Sequence, residues 1–595
     1  MIPVTAITRS LSGLAWRWRG GNMDLASGGP GASFGQLDTL VDQLLMARGV
    51  ERHDLERHRR PTLRDFLPDP SIFNDMDKAA ARLADAITKG EAIAVYGDYD
   101  VDGATSAALL IRFLAGLGVH ARPYIPDRLL EGYGPSAEGL VKLAREGAQL
   151  IVTVDCGAMA YEALAAARAE GVDVIVVDHH KCNPELPPAT ALVNPNRLDE
   201  SDEAASHGHM AAVGVAFLLA VATLRELRAR GVVGASAAPD LMSLLDLVAL
   251  GSVADVAQIR GVNRAFVAQG LKIMARRANI GLAALIDASR LTRAPTCSDL
   301  GFALGPRINA AGRIGDSGLG VRLLTTNDAE EARTIAARLS ELNDERRAIE
   351  QAVQEAAEAQ VEAQHNRSVV VVHGAGWHPG VIGIVAGRIK EKTGRPALVI
   401  AEDGDAEGNG KGSGRSIPGV DLGAAIIAAR AAGLLIAGGG HAMACGLTVA
   451  AGGTERLADW LDDRLARDVA AARQSQALLL DLSLAPGGLT PDLVERLEAA
   501  GPFGMGWPGP RVAVGPVRLI KCDLVGTDHV RMVAGGPDGR SFKAIAFRAA
   551  ETEMGQALLH GSRGRSFWLA GRAKIDDWGS RPAAELHVED AAFAD

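Results

Sequence analysis

Acidic and imidazole side chains recur at four places where an apolar run of the sequence ends. Carboxylate and imidazole groups together suit hard or borderline divalent cations, manganese above all. Burying such a set of carboxylates without cations would cost repulsion and desolvation, so the pattern predicts a metal site. The four segments are YGDYDVDGAT with Asp98, Asp100 and Asp102, VTVDCG with Asp155, VVDHHK with Asp178, His179 and His180, and LGSVADV with Asp255.

The elements that must bring these side chains together are short apolar strands separated by helical stretches. Runs such as AIAVYGD, QLIVTVD and DVIVVDHH are continuously apolar, as strands buried on both faces are. The alternation predicts a parallel sheet covered by helices, whose ligands bind beyond the carboxyl ends of the strands. Asp100, Asp102, Asp155 and His179 are therefore expected to converge at one rim.

Further regions follow this α/β pattern. Residues 329–365 contain no Pro or Gly and repeat apolar side chains every seven residues, at Ile335, Leu342, Ile349 and Ala356, which predicts one long helix. A second α/β pattern comes next, and short strands with turn signals near the end predict a small β-barrel of the oligonucleotide-binding type. The expected divisions are a loosely held arm at 1–60, an α/β domain at 61–328, the connecting helix at 329–365, a second α/β domain at 366–455 and a barrel domain at 456–595.

Composition is that of a soluble globular protein. Of the 595 residues 48% are apolar, yet no apolar stretch approaches the ~18 residues that a membrane span needs. Five scattered cysteines without a CxxC pair and the lack of a secretory signal predict a cytoplasmic protein without a zinc ribbon or disulfide framework. The net charge of −10 argues only weakly against a nucleic-acid partner, because bound metal and clustered arginines can oppose the global sum.

Side chains suited to phosphate are spread over both α/β regions. Guanidinium forks match phosphate oxygens in pairs, and glycine-rich turns let backbone amides approach. For each arginine the alternative is a surface ion pair, and for Arg388, on a predicted helix, the two interpretations are evenly balanced. The glycine-rich surroundings favour phosphate binding for Arg307, Arg415 and Ser416. The candidates are Arg128, Arg307, Asn309, Arg313, Arg388, Arg415, Ser416 and His441.

The four acidic motifs, in this order, resemble those of the DHH phosphoesterase superfamily, and GSGRSIPGVDL with GGGHAMACG resembles its DHH-associated domain. LGPRINAAGRIGD and GWHPGVIGIVAGRI are similar to the branch that degrades single-stranded DNA. The resemblance implies a parallel-sheet DHH domain, a long connecting helix, a second α/β domain and an OB-like barrel. It also implies a 5′-to-3′ exonuclease that hydrolyses single-stranded DNA to mononucleotides with two Mn²⁺ or Mg²⁺ ions, in recombination and repair.

The resemblance also gives roles to the acidic and imidazole residues. Asp178 is expected to orient His179, which leaves His180 free to face the substrate and assist the reaction. Asp98 stays open as an alternative ligand or a supporting group, because related phosphatases have histidine where this chain has Tyr96. The implied metal ligands, with Asp155 bridging the two ions, are Asp100, Asp102, Asp155, His179 and Asp255.

The same resemblance distributes the phosphate-binding residues. Arg128, Arg415 and Ser416 would form a pocket for the 5′-phosphate, and Arg307 with Asn309 would hold the backbone near the scissile bond. The histidine of GGGHAMACG would also face the phosphate. Expected partners are single-stranded DNA with a free 5′ end, a single-strand-binding protein and a helicase, with no membrane. Aromatic side chains of the barrel could stack on bases or fill its core, and these are Phe542, Phe547, Phe567, Trp568 and Trp578.

Two alternatives remain at this point. A DHH phosphoesterase acting on short oligonucleotides or cyclic dinucleotides would not require the barrel or the GPRINAAGR segment. A non-catalytic single-strand-binding scaffold would be expected to have lost metal ligands, whereas all four motifs are intact here.

Overall fold

A computed structural model of the chain describes residues 4–20, 34–128, 131–234, 238–402, 408–560, 564–576 and 582–595. Its N-terminal region holds strand β1 (Ala15–Trp18) and helices α1 (Phe34–Ala47), α2 (Leu55–Arg59) and α3 (Leu63–Phe66). Nowhere in the described ranges is a helix both long and apolar enough to cross a membrane.

The prediction of a loosely held N-terminal arm is wrong for the described residues. Strand β1 pairs in parallel with residues 477–480, and Trp16, only 1% exposed, donates from Nε1 to Asp590 at 2.8 Å. Leu44 and Leu45 of α1 are buried in the core of the C-terminal domain. The arm therefore completes a core at the far end of the chain, a long-range pairing that local composition does not reveal.

The first α/β domain is a five-stranded parallel sheet with helices on both faces. Its strands lie in the order β3-β2-β4-β5-β6. The elements are α4 (Met76–Lys89), β2 (Ile93–Gly97), α5 (Val101–Gly116), β3 (Ala121–Tyr124), α6 (Ala137–Arg145), β4 (Leu150–Val154), α7 (Tyr161–Ala169), β5 (Asp173–Val177), β6 (Ala191–Val193), α8 (Asp202–Ala205), α9 (Ala212–Ala229), α10 (Leu245–Ala254), α11 (Gly261–Met274), α12 (Ile280–Ala288), α13 (Cys297–Asp299), α14 (Gly305–Ile314) and α15 (Leu319–Thr325).

The connecting helix α16 (Ala329–Ala363) begins at an Asp328 cap, whose carboxylate accepts the amides of Glu330 and Glu331. The predicted seven-residue repeat holds at Ile335 and Leu342 but fails at Ala356, which is exposed; Ala357 is buried instead. A straight helix of 3.6 residues per turn drifts away from a strict heptad, so the buried stripe moves by one residue along its length.

The second α/β domain is a five-stranded mixed sheet in the order β10-β11-β9-β8-β7. Its elements are β7 (Val370–Ala375), α17 (Pro379–Thr393), β8 (Ala397–Glu402), β9 (Gly410–Arg415), α18 (Leu422–Ala431), β10 (Ala437–His441), β11 (Ala444–Val449) and α19 (Thr454–Gln474). Leu457, Leu461 and Leu465 of α19 are buried in the core of this domain. The domain thus extends to about the end of α19, beyond the expected boundary at 455.

The C-terminal domain is a small closed barrel in which strands β14, β15, β16, β18 and β17 pair in turn and β17 returns to β14. Closure removes the exposed edges of the sheet. Its elements are β12 (Ala477–Leu480), β13 (Leu482–Leu484), α20 (Pro491–Ala499), β14 (Val512–Val525), β15 (His529–Gly535), β16 (Ser541–Ala546), α21 (Glu553–His560), β17 (Phe567–Asp576) and β18 (Ala583–Phe593).

One arginine joins the first and last domains. Arg264 of α11 is 1% exposed, and its guanidinium donates to the backbone carbonyls of His58, Ala500, Gly501 and Pro502 at 2.6–3.1 Å. Its Cζ lies 5.6 Å from the ring centre of Trp507. We call this contact region, defined by these residues, the Arg264 junction. It fixes the barrel domain against the sheet domain.

Candidate metal centre and phosphate site

The register of the parallel sheet brings three aspartates into one row. Gly97 of β2 lies beside Val154 of β4, and Val154 lies beside Val177 of β5. The next residue after each strand end is an aspartate, so Asp98, Asp155 and Asp178 follow one another along the carboxyl rim. The expected convergence of the acidic motifs at this rim is what the strand pairing produces.

Asp100 and Asp102 are placed by the start of α5. Asp100 caps the helix, because its Oδ1 accepts the amides of Asp102 at 2.9 Å and Gly103 at 3.1 Å. Asp102 is fully buried, and its two oxygens accept the amides of Ala212 at 2.6 Å and Val213 at 3.0 Å. Those amides begin α9, whose positive end favours a carboxylate. Any side chain larger than that of Gly103 would collide with the Asp98 carbonyl, which explains the glycine.

Asp155 has a strained backbone, with a φ of 61° that few residues other than glycine adopt. Its carboxylate Oδ1 lies 3.2 Å from His179 Nε2, and both atoms are buried without a hydrogen-bond donor between them. The backbone carbonyl of Asp155 accepts a hydrogen bond from the Tyr133 hydroxyl at 3.3 Å. The positive φ therefore accompanies a carboxylate that is held at the carboxyl rim beside His179.

His179 links the sheet motifs to the helical one. Its Nδ1 lies 3.1 Å from the Met210 carbonyl, which fixes Nδ1 as the protonated nitrogen and leaves Nε2 as an acceptor. Asp255, at the carboxyl end of α10, reaches within 3.9 Å of the ring. Ligand atoms within 4.8 Å of one another occur in three sets: Asp155, His179 and His180; Asp102, His179 and Asp255; and Asp98, Asp100 and Asp155.

The predicted partner of Asp178 is wrong. Asp178 Oδ1 does accept the backbone amides of His179 at 2.7 Å and His180 at 3.1 Å, but the imidazole that it contacts, at 2.8 Å, is that of His180. The ring of His179 turns the other way, toward Met210. Asp178 thus orients His180, which is 45% exposed and belongs to one of the three sets. The other carboxylate oxygen of Asp178, Oδ2, accepts the Ala158 amide.

The pKa values of the acidic residues at the candidate metal centre are shifted because their negative charges are not balanced. Burial, reinforced by neighbouring carboxylates, raises the pKa of Asp98 to about 8, of Asp102 to about 7 and of Asp255 to about 9. The pKa of Asp155 is also raised, by burial and then by Asp102. Burial and the charge of His180 lower the pKa of His179 to about 4. Carboxylates that resist ionisation beside a neutral imidazole are a donor set that divalent cations would restore to full charge.

Two observations test whether the residues fit divalent ions. The atoms Asp98 Oδ1, Asp155 Oδ1 and His179 Nε2 are buried and have no hydrogen-bond partner among the residues that the structure describes. A buried polar atom without a partner calls for an explanation, and where three of them converge among carboxylates a bound cation is one. The donors are carboxylate oxygens with one neutral imidazole, the set that Mn²⁺ and Mg²⁺ accept. The orphaned Asp98 oxygen also favours a direct part for Asp98, whose role the sequence leaves open.

A cluster of three arginines faces the acidic rim. The Arg128 guanidinium lies 4.8 Å from the ring centre of Tyr99, and Arg313 donates to the Gly380 carbonyl at 2.8 Å. Burial, then the charge of Arg128, lowers the pKa of Arg313 to about 10, and burial lowers that of Arg415, which also feels Arg128. Within the described ranges none of the three forms an ion pair with a carboxylate. This arginine cluster, Arg128, Arg313 and Arg415, offers unsatisfied positive charge to an anion.

Two other predicted phosphate ligands, Ser416 and Arg388, are engaged elsewhere, whereas the predicted role of His441 stays a prediction. Ser416 is 1% exposed and its hydroxyl donates to the Val420 carbonyl at 2.8 Å, so it is turned away from the cluster. Arg388 forms an ion pair with buried Glu350 at 2.5 Å, which is the ion-pair interpretation that the sequence left open beside phosphate binding. His441 is exposed at the end of β10, where Nδ1 accepts the Met443 amide.

Arg307 and Asn309 lie in helix α14, whereas a glycine-rich turn was expected there. The Arg307 guanidinium is hydrogen-bonded within the protein: it donates to the Ala303 carbonyl at 2.7 Å and to Ser340 Oγ at 3.1 Å. The glycines of this segment serve close packing, since a Cβ on Gly312 would come 2.4 Å from the Tyr99 carbonyl. Helix α14 therefore packs directly on the first acidic motif.

Two residues near the centre were missed by sequence reasoning. Ser413 lies two positions before Arg415 on β9, so both side chains share a face, and Arg415 Nη1 lies 3.2 Å from Ser413 Oγ. The period-two pattern of a strand would have found it if GSGRS had been interpreted as a strand. Tyr133 lies 3.0 Å from His180 Nδ1 through its hydroxyl, and nothing in the sequence around it distinguishes it.

The barrel aromatics divide into core and surface. Phe542 and Phe567 are buried, whereas Phe547 is 51% exposed between the rings of His529 and His587 at 5.3 and 5.1 Å. Trp568 packs against a small buried cluster beside Trp16, and Trp578 lies outside the described residues. A cavity of about 780 Å³ beside Phe547 is lined by Arg548, Arg572 and Lys574 among others. Of the four aromatic side chains of this set that lie in the described ranges, Phe547 is the most exposed.

Known proteins share this organisation domain by domain. Residues 92–252 match the N-terminal domain of the DHH family, residues 366–467 match the DHHA1 domain, and residues 480–590 match the RecJ OB domain. Together with the acidic rim on a parallel sheet, these matches define a protein of the DHH class.

Comparison over almost the whole chain points to a narrower family within this class. The single-stranded-DNA-specific exonuclease RecJ of Dickeya dadantii is 38% identical, over 93% of this chain and 96% of its own length. The structure of RecJ from Thermus thermophilus in complex with Mn²⁺ superimposes with a TM-score of 0.73 at 29% identity, covering 93% of this chain and 76% of that one. Its complex with Mg²⁺ gives 0.70 at 28% identity, covering 94% and 74%. This chain belongs to the RecJ family.

Proposed function

We propose that the protein is an exonuclease specific for single-stranded DNA that uses Mn²⁺ or Mg²⁺. The observation that carries the proposal is the juxtaposition of the unbalanced carboxylate rim with the unpaired arginine cluster, since a phosphodiester needs both. The relatives that are similar over almost the whole chain are single-stranded-DNA-specific exonucleases by name, and the solved relative was crystallised with Mn²⁺ and with Mg²⁺. The implied ligands are Asp100, Asp102, Asp155, His179 and Asp255, with Asp98 as a further donor.

The residues of the chain divide the chemical work. Two divalent ions, when bound, supply positive charge to the attacking and leaving oxygens of an in-line displacement at phosphorus. His180 stands exposed beside them. Burial alone would lower the pKa of His180, but the hydrogen bond and charge of Asp178 outweigh it and raise that pKa. A protonated His180 can donate a hydrogen bond to the phosphoryl group or a proton to the leaving oxygen.

Polarity would come from the arginine cluster. Arg128 and Arg313 belong to the first domain, and Arg415 with Ser413 belongs to the second, so the site for the terminal 5′-phosphate lies between the domains. Bidentate guanidinium contacts recognise a terminal phosphate. The separation between that bound 5′-phosphate and the acidic rim would decide which phosphodiester is cut, so that hydrolysis releases mononucleotides from the 5′ end. We expect the space between these two domains, which α16 connects, to admit one strand and to exclude a duplex.

The partner proposals follow from the substrate. A duplex must be opened before the groove can accept it, so a helicase and a single-strand-binding protein would act beside this enzyme in recombination and repair. A cytoplasmic location is supported by the DNA substrate and by the five free cysteines of the protein. Phe547 on the barrel would stack on a base of the trailing strand without sequence preference.

The experiment compares single-stranded and duplex DNA, each with a 5′-phosphate or a 5′-hydroxyl and an internal or 3′ label, in the presence of Mn²⁺. Digestion of the single strand from its 5′ end is expected, with duplex left intact. Ser413→Ala and Arg415→Ala should raise KM for the 5′-phosphorylated strand about 10-fold, because each loses a contact to a charged group. Arg430→Ala, an exposed arginine on the same domain, is the matched control. Release from the 3′ end, or equal digestion of duplex, would defeat the assignment.

A further inference from the structure

The turn that carries His179 and His180 is held from below by two asparagines just after strand β6. Asn194 is fully buried, and its Nδ2 donates to the His180 carbonyl at 2.7 Å. Asn196 donates from Nδ2 to the His179 carbonyl at 2.6 Å. Since both partners are carbonyl oxygens, the amide nitrogens must face them. Each asparagine therefore addresses one histidine.

The two asparagines form one unit. The Asn194 Oδ1 accepts the Asn196 backbone amide at 2.8 Å, a side-chain turn that fixes their spacing across Pro195. From the other side, Asp178 Oδ1 accepts the amides of His179 and His180. The backbone N–H and carbonyl groups of both histidines are therefore all hydrogen-bonded, by Asp178 on one side and by the two asparagines on the other. These bonds leave the turn little conformational freedom.

Asn196 also reaches the loop that sets the tautomer of His179. Its Nδ2 donates to the Gly208 carbonyl at 3.0 Å, two residues before Met210, whose carbonyl lies 3.1 Å from His179 Nδ1. A Cβ on Gly208 would come 2.4 Å from Asn196 Oδ1, so only glycine permits this approach. The Nδ2 of Asn194 instead lies 3.1 Å from Cys182 Sγ, in addition to its bond to the His180 carbonyl.

We propose that Asn194 and Asn196 are positioning residues with separate tasks: Asn196 holds His179 for metal binding, and Asn194 holds His180 for turnover. The proposal rests on the proposed function only in its second half, because metal binding can be measured without DNA. Groups that orient a ligand histidine typically change metal affinity 10- to 100-fold when removed.

The test uses the full chain with Asn194→Ser and Asn196→Ser. Serine at 194 can still accept the amide of residue 196 but is too short to reach the His180 carbonyl. Mn²⁺ binding is followed by the electron paramagnetic resonance of free Mn²⁺, without DNA. Asn196→Ser should weaken at least one Mn²⁺ site about 10-fold, whereas Asn194→Ser should change Mn²⁺ affinity less than about 2-fold. At saturating Mn²⁺, Asn194→Ser should lower kcat about 10-fold with KM nearly unchanged.

Asn74→Ser is the matched control, because it removes an exposed asparagine bond to a backbone carbonyl, that of Asp199, in the same domain. Gly208→Ala is the second route, since it displaces Asn196 without altering it and should reproduce the loss of Mn²⁺ affinity. If both asparagine variants change Mn²⁺ affinity and kcat together, or no more than Asn74→Ser does, the proposal is wrong. If the protein shows no nuclease activity at all, the Mn²⁺ titrations still decide the Asn196 half, so the two failures are distinguishable.

Discussion

Two buried charged regions of this protein, the acidic rim and the Arg264 junction, are built in opposite ways. At the rim, carboxylates crowd together, and within the described ranges Asp98 Oδ1 and Asp155 Oδ1 have no hydrogen-bond partner. At the junction, one guanidinium donates to four carbonyls and lies over an indole ring. At the junction too, His58 Nε2 and Trp507 Nε1 lack partners among the described residues, so the difference between the regions is one of charge. Like charges crowd together at the rim, whereas carbonyl oxygens satisfy the single charge at the junction. The rim should therefore respond to mutation through activity, and the junction through stability.

The largest effect is expected at the rim. Asp155→Asn should lower the rate of single-stranded DNA hydrolysis about 10³-fold or more, because metal-ion catalysis supplies several kcal/mol. Asparagine tolerates the positive φ of this position, so the backbone is preserved. Thermal unfolding in EDTA should show a Tm equal to or above that of the wild type, because a neutral amide replaces a carboxyl group whose ionisation burial and its neighbours disfavour. Asp463→Asn, at an exposed position of α19, is the control, and a large fall in Tm for Asp155→Asn would contradict the comparison.

At the Arg264 junction, mutation should lower stability and leave the hydrolysis rate nearly unchanged. Arg264→Met leaves four carbonyls without their donor and is expected to reduce the free energy of unfolding by about 3 kcal/mol. Urea denaturation measures this loss, with Arg276→Met, exposed just after the same helix, as the control. The hydrolysis rate of the protein that remains folded should stay within a few-fold of wild type. A stable variant with a lost activity would mean that the junction acts on the site.

The sequence predicted the rim better than the junction, for a physical reason. Strand ends and the period of a parallel sheet are local signals, and they place Asp98, Asp155 and Asp178 in one row once the strands pair in order. The target of Asp178 was not predictable, because two adjacent histidines on a turn point in different directions and only the surrounding groups decide which one it meets.

The errors elsewhere have the same origin. Arg264 meets carbonyls more than two hundred residues away, and Trp16 meets Asp590, so no window of sequence contains the partners. One difference is local instead: GSGRS was interpreted as a turn, whereas β9 extends to Arg415, and alternation along that strand places Ser413 on the face of Arg415. Local periodicity is readable from sequence, and long-range pairing is not.

A third prediction sharpens the comparison through metal binding. Mn²⁺ at about 100 times its Kd should stabilise the wild type by about 2.7 kcal/mol, because it binds only the folded rim. Arg264→Met should gain as much, since its rim is intact, whereas Asp155→Asn should gain much less. Thermal unfolding with and without Mn²⁺ measures all three. An equal gain for Asp155→Asn would place the ion elsewhere.

The smallest effect is expected from pH at the junction. Burial, then the charges of Arg264 and Arg48, lowers the pKa of His58 to about 3, and its ring lies 4.6 Å from that of Trp507. Since the unfolded chain has a histidine pKa of about 6.5, it takes up the proton first as the pH falls, and the folded state loses stability from about pH 6.5 down toward pH 3.

His58→Gln removes this contribution while other titrating groups stay the same, so the difference between the two proteins isolates it. Because His58 is partly exposed, the loss is discounted to about 1 kcal/mol between pH 7 and pH 5. Urea denaturation at both values of pH should show the wild type losing more stability than His58→Gln. Parallel losses would mean that the imidazole is solvated in the folded state, and the junction would then be a looser contact than its four carbonyl bonds indicate.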